Sequence, residues 1–127
     1  MNSASKLIAR SPTRRKIDSN HDAKDVPAPV QVALQQAMVL EEVSAIEYDE
    51  YLWIIAQESM GRIGVRNKHS SARGLFQLLH NQYGMNPHGE QSFGNALEEC
   101  QGGIRYIKSR YKTARAAKLF WMSHRWY

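Results

Sequence analysis

The chain has 127 residues, a formal net charge of +5 and a 43% hydrophobic composition. That length favours one domain with a real core, and a lone cysteine, Cys100, excludes an internal disulfide framework. No Cys/His cluster has zinc spacing, and no apolar run approaches the ~20 residues of a membrane span.

Residues 1–29 are polar, rich in Ser, Asn, Lys and Arg, and carry three of the four prolines, Pro12, Pro27 and Pro29. This composition predicts a flexible N-terminal arm. It has bases but no apolar segment of signal-peptide type, so a role outside the cytoplasm needs another delivery route. From Val30 the pattern changes. Val30, Ala33, Leu34, Ala37, Met38, Leu40 and Ala45 fall near helical spacing and predict a helix over 30–45. Asp49 opens a second helix, with Leu52, Ile55 and Ala56 on one side and Trp53 and Ile54 adding bulk. Gly61 and Gly64 stop it after Met60.

Residues 61–73 read as a loop, 74–80 as a short helix, and 81–94 as irregular, with Gly84, Asn86-Pro87, Gly89 and Gly94. Helical periodicity returns over Asn95–Tyr111, with Ala96, Leu97, Cys100, Ile104 and Ile107 as its stripe. A last helix over Thr113–Ser123 carries Ala116, Ala117, Leu119 and Phe120. No period-two alternation is present, so the expected class is all-α, with an arm at 1–29 and one helical domain at 30–127.

Charge is uneven. After Glu99 there is no acid but seven bases, Arg105, Lys108, Arg110, Lys112, Arg115, Lys118 and Arg125. Such a quarter suits an anionic polymer, a membrane surface or simple solvation. Residues 59–89 contain no Asp or Glu. Glu58 therefore stands alone, at the end of the apolar run Leu52–Ala56, where the helix dipole disfavours a carboxylate. A lone acid in an apolar setting suits proton transfer. Gly74 permits close backbone approach to a ligand, and Gln77 offers a donor and an acceptor to sugar hydroxyls or an acetamido group.

Glu58-Ser59, a glycine-containing loop, and Ser70-Ser71-Ala72-Arg73-Gly74-Leu75-Phe76-Gln77 together resemble the Glu-Ser and Gly-Leu-Met-Gln motifs of the lysozyme-like lytic transglycosylases, with Phe76 in the methionine's place. Leu97–Ile107, with Gly102-Gly103 and Tyr106-Ile107, is similar to that family's later helix, although simple packing explains the glycines as well. Phe120–Tyr127 resembles the ending of phage-type members. The Ala-Tyr-Asn-Ala-Gly segment of many cellular members is absent, and Trp121 stands where its tyrosine would be. The resemblance covers about residues 45–127.

The resemblance implies a lysozyme-like helical domain with an active-site cleft. Its substrate would be the peptidoglycan glycan strand, cut between N-acetylmuramic acid and N-acetylglucosamine. Glu58 would be the catalytic acid and then base, leaving a 1,6-anhydro end. Ser59, Ser71, Gly74, Leu75, Gln77, Tyr106 and Trp121 would bind substrate. The later acids Glu90, Glu98 and Glu99 occupy no motif suited to a second catalytic carboxylate, which ordinary glycosidases need. No metal or cofactor is implied, and nucleic acid is not the expected partner. A phage virion protein opening the wall for genome entry, docked through residues 1–29, is the expected setting. A lysis role, hydrolysis by water on the same fold, and a non-enzymatic basic module bound to virion or DNA are the alternatives. Of the histidines, His69 lies in the loop between the motifs, where a solvated loop histidine is the simpler reading and a place in the cleft wall the alternative.

Overall fold

A computed structural model describes residues 21–125. Residues 1–20, Trp126 and Tyr127 lie outside the described residues, and with them much of the expected arm. Among the described residues the chain is mostly helical and has no β-strand. No helix there is long and apolar enough to cross a membrane.

Helix α1 spans Ala28–Leu40. Pro29 sits in its first turn, where a missing N–H costs nothing. Val30, Ala33, Leu34, Ala37 and Met38 are its buried face, the i, i+3, i+4 series that the sequence predicts. The helix stops five residues earlier than expected. Glu42 turns to φ 59°, and Ser44 draws the Ile46 N–H to its hydroxyl at 3.2 Å, starting a 3-10 turn over Ala45–Glu47. A serine side chain competing for backbone N–H ends a helix that apolar spacing alone would continue.

Helix α2 spans Tyr48–Ser59, with Asp49 and Glu50 in its first turn, where the dipole favours them. Helix α3 spans Ala96–Tyr111, capped by Asn95, whose side chain accepts the Glu98 N–H at 3.0 Å. Helix α4 spans Ala114–His124, capped in the same way by Thr113 on the Ala116 N–H at 3.1 Å. Its buried residues are Ala114, Ala117 and Trp121. Leu119 points to solvent, so the stripe lies one step round from the one read in the sequence. The Glu47 carboxylate accepts the Ala114 N–H at 2.9 Å, tying the start of α2 to the start of α4.

Helix α1 packs along α3, while α2 contacts α1 and α4. Leu34, Tyr51, Ile54, Ile55, Phe76, Ile104 and Ile107 form the centre of one core. The paired glycines of α3 are packing devices. A Cβ on Gly102 would lie 1.7 Å from Asn86 Oδ1, and one on Gly103 would lie 2.1 Å from Phe76 Cγ. Gly103→Ala should therefore destabilise the fold by about 3 kcal/mol, at the upper end of overpacking costs. An unchanged denaturant midpoint would show that Phe76 has room to move.

Two expectations about loops change. Residues 74–79 are not a helix. Gly74 at φ 83° and Gln77 at φ 52° are both left-handed, and Arg73 and Leu78 exchange backbone hydrogen bonds at 3.0 Å across a tight turn. The helical turns lie later, over His80–Met85 and Gly89–Ser92, within the stretch read as irregular. Residues 21–29 are part of the folded body rather than of an arm. Val26 is buried in the core. The Gln57 amide accepts the His21 N–H at 3.1 Å and donates to the His21 carbonyl at 2.6 Å. Of the two prolines read as linker here, Pro27 is the residue before α1 and Pro29 lies in its first turn.

One surface cluster fastens the end of α1 to α3. The Arg105 guanidinium donates to both oxygens of Glu41, at 3.0 and 2.9 Å, and Gln101 donates at 2.9 Å. The Arg105 bonds hold the Glu41 carboxyl below its ordinary value, Gln101 and Lys108 act the same way, and burial opposes them. A lowered carboxylate pKa adds stability above the unfolded value, about 4.3, and loses it as pH falls through the folded value. Glu41→Gln should lower stability at pH 7 by about 1 kcal/mol. The gap should close in melts recorded near pH 3. A gap that persists in acid would mean that Glu41 acts by packing.

Candidate active site

Glu58 stands one residue before the end of α2. Met60 at φ 56° and Gly61 at φ 76° turn the chain there, and a Cβ on Gly61 would meet Val26 Cγ1 at 2.9 Å. Glu58 is only 4% exposed. Trp121 reaches across from α4 and donates its indole N–H to Glu58 Oε2 at 2.8 Å. The indole is itself fixed edge-on against Trp53 at 5.2 Å. A buried tryptophan N–H needs an acceptor, so the pair satisfies both groups and orients the carboxyl. Trp121, expected to bind substrate, is 4% exposed, and its indole N–H is directed at the Glu58 carboxyl.

Glu58 lines an open cavity of about 250 Å³ together with Gln77, Arg62, Arg66, Lys68 and His69. The opposite wall is the loop over residues 61–79. Gly74 N–H donates to the Val65 carbonyl at 2.8 Å, and the Asn67 N–H donates to Ala72 at 3.0 Å. Gln77 is 2% exposed, and its amide donates to the Val65 and Gly74 carbonyls at 3.1 and 3.0 Å. Its donors thus staple the loop.

The other predicted residues divide by place. Ser59 Oγ donates to the Ile55 carbonyl at 3.2 Å and accepts the Gly61 N–H at 3.1 Å, finishing α2. Ser71 is exposed on the loop. Its hydroxyl accepts the His80 N–H at 2.9 Å and its carbonyl accepts the Tyr83 hydroxyl at 2.6 Å. Leu75 is buried. Tyr106 is buried within the core on α3. Gly74 is needed for space: a Cβ there would meet Glu99 Oε1 and the Phe93 ring at 2.9 Å.

Glu99, set aside in the sequence, organises the site. Its carboxylate is 2% exposed. It accepts the Leu75 N–H at 2.7 Å and the Gly64 N–H at 3.2 Å on one oxygen, and the Gly94 N–H at 2.7 Å on the other. The 61–79 loop, at two points, and the segment at Gly94 converge on it. Burial pushes its pKa up, while those three N–H bonds and the Arg73 charge pull the other way. A signal was available in the sequence: Glu99 lies four residues before Gly103 and seven before Tyr106, on the buried face of α3. Arg62, Arg66 and Lys68 were also not singled out as cavity residues.

Among the described residues no group of three or more His, Cys, Asp or Glu side chains is placed to hold a metal ion. No family model, curated protein or solved structure matches this chain.

Proposed function

We propose that the chain is a peptidoglycan lytic transglycosylase with Glu58 as its single acid and base. The observation that carries this is the pairing of a buried, indole-held carboxyl with an open cavity in which Glu58 is the one carboxylate among the lining residues. The motif resemblance of residues 58–77 adds the substrate class. The Glu58 carboxyl gives its proton to the glycosidic oxygen as the bond to C1 of the muramic acid breaks. The resulting carboxylate takes the proton from that sugar's C6 hydroxyl as O6 bonds to C1. The acid is regenerated and no water is consumed. A second carboxylate, which hydrolysis across the bond employs to activate water or attack C1, has no place in this scheme.

Glu99 does not fill that role, because its oxygens are occupied by three backbone N–H groups, from Gly64, Leu75 and Gly94. The resemblance of residues 120–127 to phage-type members is what supports a virion setting for the proposed enzyme, in which it would open the wall for genome entry. A reducing-end assay on purified wall glycan tests the chemistry. Solubilisation without new reducing ends supports it. Solubilisation with a new reducing end at each cut favours hydrolysis, and no solubilisation favours a binding module.

A further inference from the structure

The absence of Asp and Glu over residues 59–89 leaves the bases of that stretch without neighbours in sequence to neutralise them. Three of them, Arg62, Arg66 and Lys68, are exposed and line the cavity that holds Glu58 and Gln77. Elsewhere in the fold Arg73 pairs with Glu90 at 3.5 Å and Arg105 with Glu41 at 2.9 Å. Among the described residues, Arg62, Arg66 and Lys68 take part in no ion pair. Arg62 Nε donates to the Ser59 carbonyl at 3.1 Å, which anchors that side chain at the end of α2, next to Glu58.

Like charges gathered at one opening repel each other, and an arriving anion relieves that repulsion. Neutral hydroxyls and acetamido groups need no such concentration of charge. Carboxylates match both the guanidinium fork and the compact ammonium.

We propose that this rim is a carboxylate subsite: the cleft takes glycan whose attached peptides carry free carboxylates close to the scissile bond, held by Arg66 and Lys68 with Arg62 beside them. This rests on Glu58 acting on wall glycan, and it adds a selectivity that the acid alone does not supply. Stem-bearing strands are preferred over strands whose carboxylates are masked, and over uncharged N-acetylglucosamine polymers.

The test uses the full chain, the Arg66→Gln/Lys68→Gln variant and two substrates, stem-bearing glycan strands and the same strands with their carboxylates amidated. Amidation should lower kcat/KM about tenfold at low salt, mainly through KM. The double variant should show the same loss on unmodified strands and little further loss on amidated ones. Equal kcat/KM on the two substrates, or an equal loss by the variant on both, would overturn the subsite. Both substitutions are at exposed positions, and circular dichroism verifies folding. If the wild type cuts neither substrate, the reading of Glu58 fails. Retention of Glu58→Gln protein on the two strands then decides the subsite by itself. Tighter retention on unmodified strands supports it, and equal retention overturns it. Tighter retention on duplex DNA than on unmodified strands would assign the rim to phosphates and also overturn it.

Discussion

Glu58→Gln should fold like the wild type and lose at least about 10²-fold of its glycan-cleavage rate. The amide fills the same volume, and its oxygen can still accept the Trp121 N–H that now reaches Glu58 Oε2. What disappears is the titratable proton of the carboxyl. In the proposed mechanism one group serves as acid and then base, so both halves of the reaction fail together. Initial rates of wall clearing, with thermal melts to verify the fold, give the answer. A folded Glu58→Gln variant that clears walls at the wild-type rate would remove Glu58 from the chemistry.

Glu99→Ala should have the largest effect on stability. Three backbone N–H groups, from Gly64, Leu75 and Gly94, lose their acceptor at once. Orphaned donors cost about 1–3 kcal/mol each when water cannot reach them. Gly64 and Gly94 are at least partly accessible to water, so about 4 kcal/mol is expected overall. In a domain of this size that lowers the melting temperature by roughly 15 °C. Glu99→Gln should fall between the two, since one oxygen still accepts while the new NH2 group faces an N–H donor. A Glu99→Ala melting temperature within about 3 °C of wild type would mean that water replaces the carboxylate. The loss of this clamp also frees the loop that carries Gln77, so activity should fall further than the folded fraction does.

The helices were legible where apolar spacing and capping residues agree. The helical ranges read in the sequence begin at Asn95 and Thr113, and in the structure the side chains of these two residues cap α3 and α4. The end of α1 was not legible, because Ser44 and the positive φ of Glu42 act against an apolar pattern that continues past them. The loop over 74–79 was misread as a helix for the same reason. Gln77 is a good helix former by propensity, yet its side chain stabilises a left-handed turn by bonding to Val65 and Gly74.

In the candidate site, motif and isolation single out Glu58 and Gln77 in the sequence, and the fold brings both to the lining of one cavity. The part of Trp121 was only half legible. Its position was flagged, but a hydrogen bond spanning 63 residues of sequence cannot be read from spacing. Glu99 was missed because acids are expected on solvated faces. Its true setting depends on three backbone N–H groups, from Gly64, Leu75 and Gly94, that only the folded chain brings together.

The mass of the muropeptides released from purified peptidoglycan, with digestion carried out in 18O-labelled water, tests the single-acid mechanism most directly. Glycan ends one water lighter than hydrolytic products and free of 18O are the expected result, since the C6 hydroxyl attacks and water does not. Full-mass ends carrying 18O would contradict it and show that water is the nucleophile.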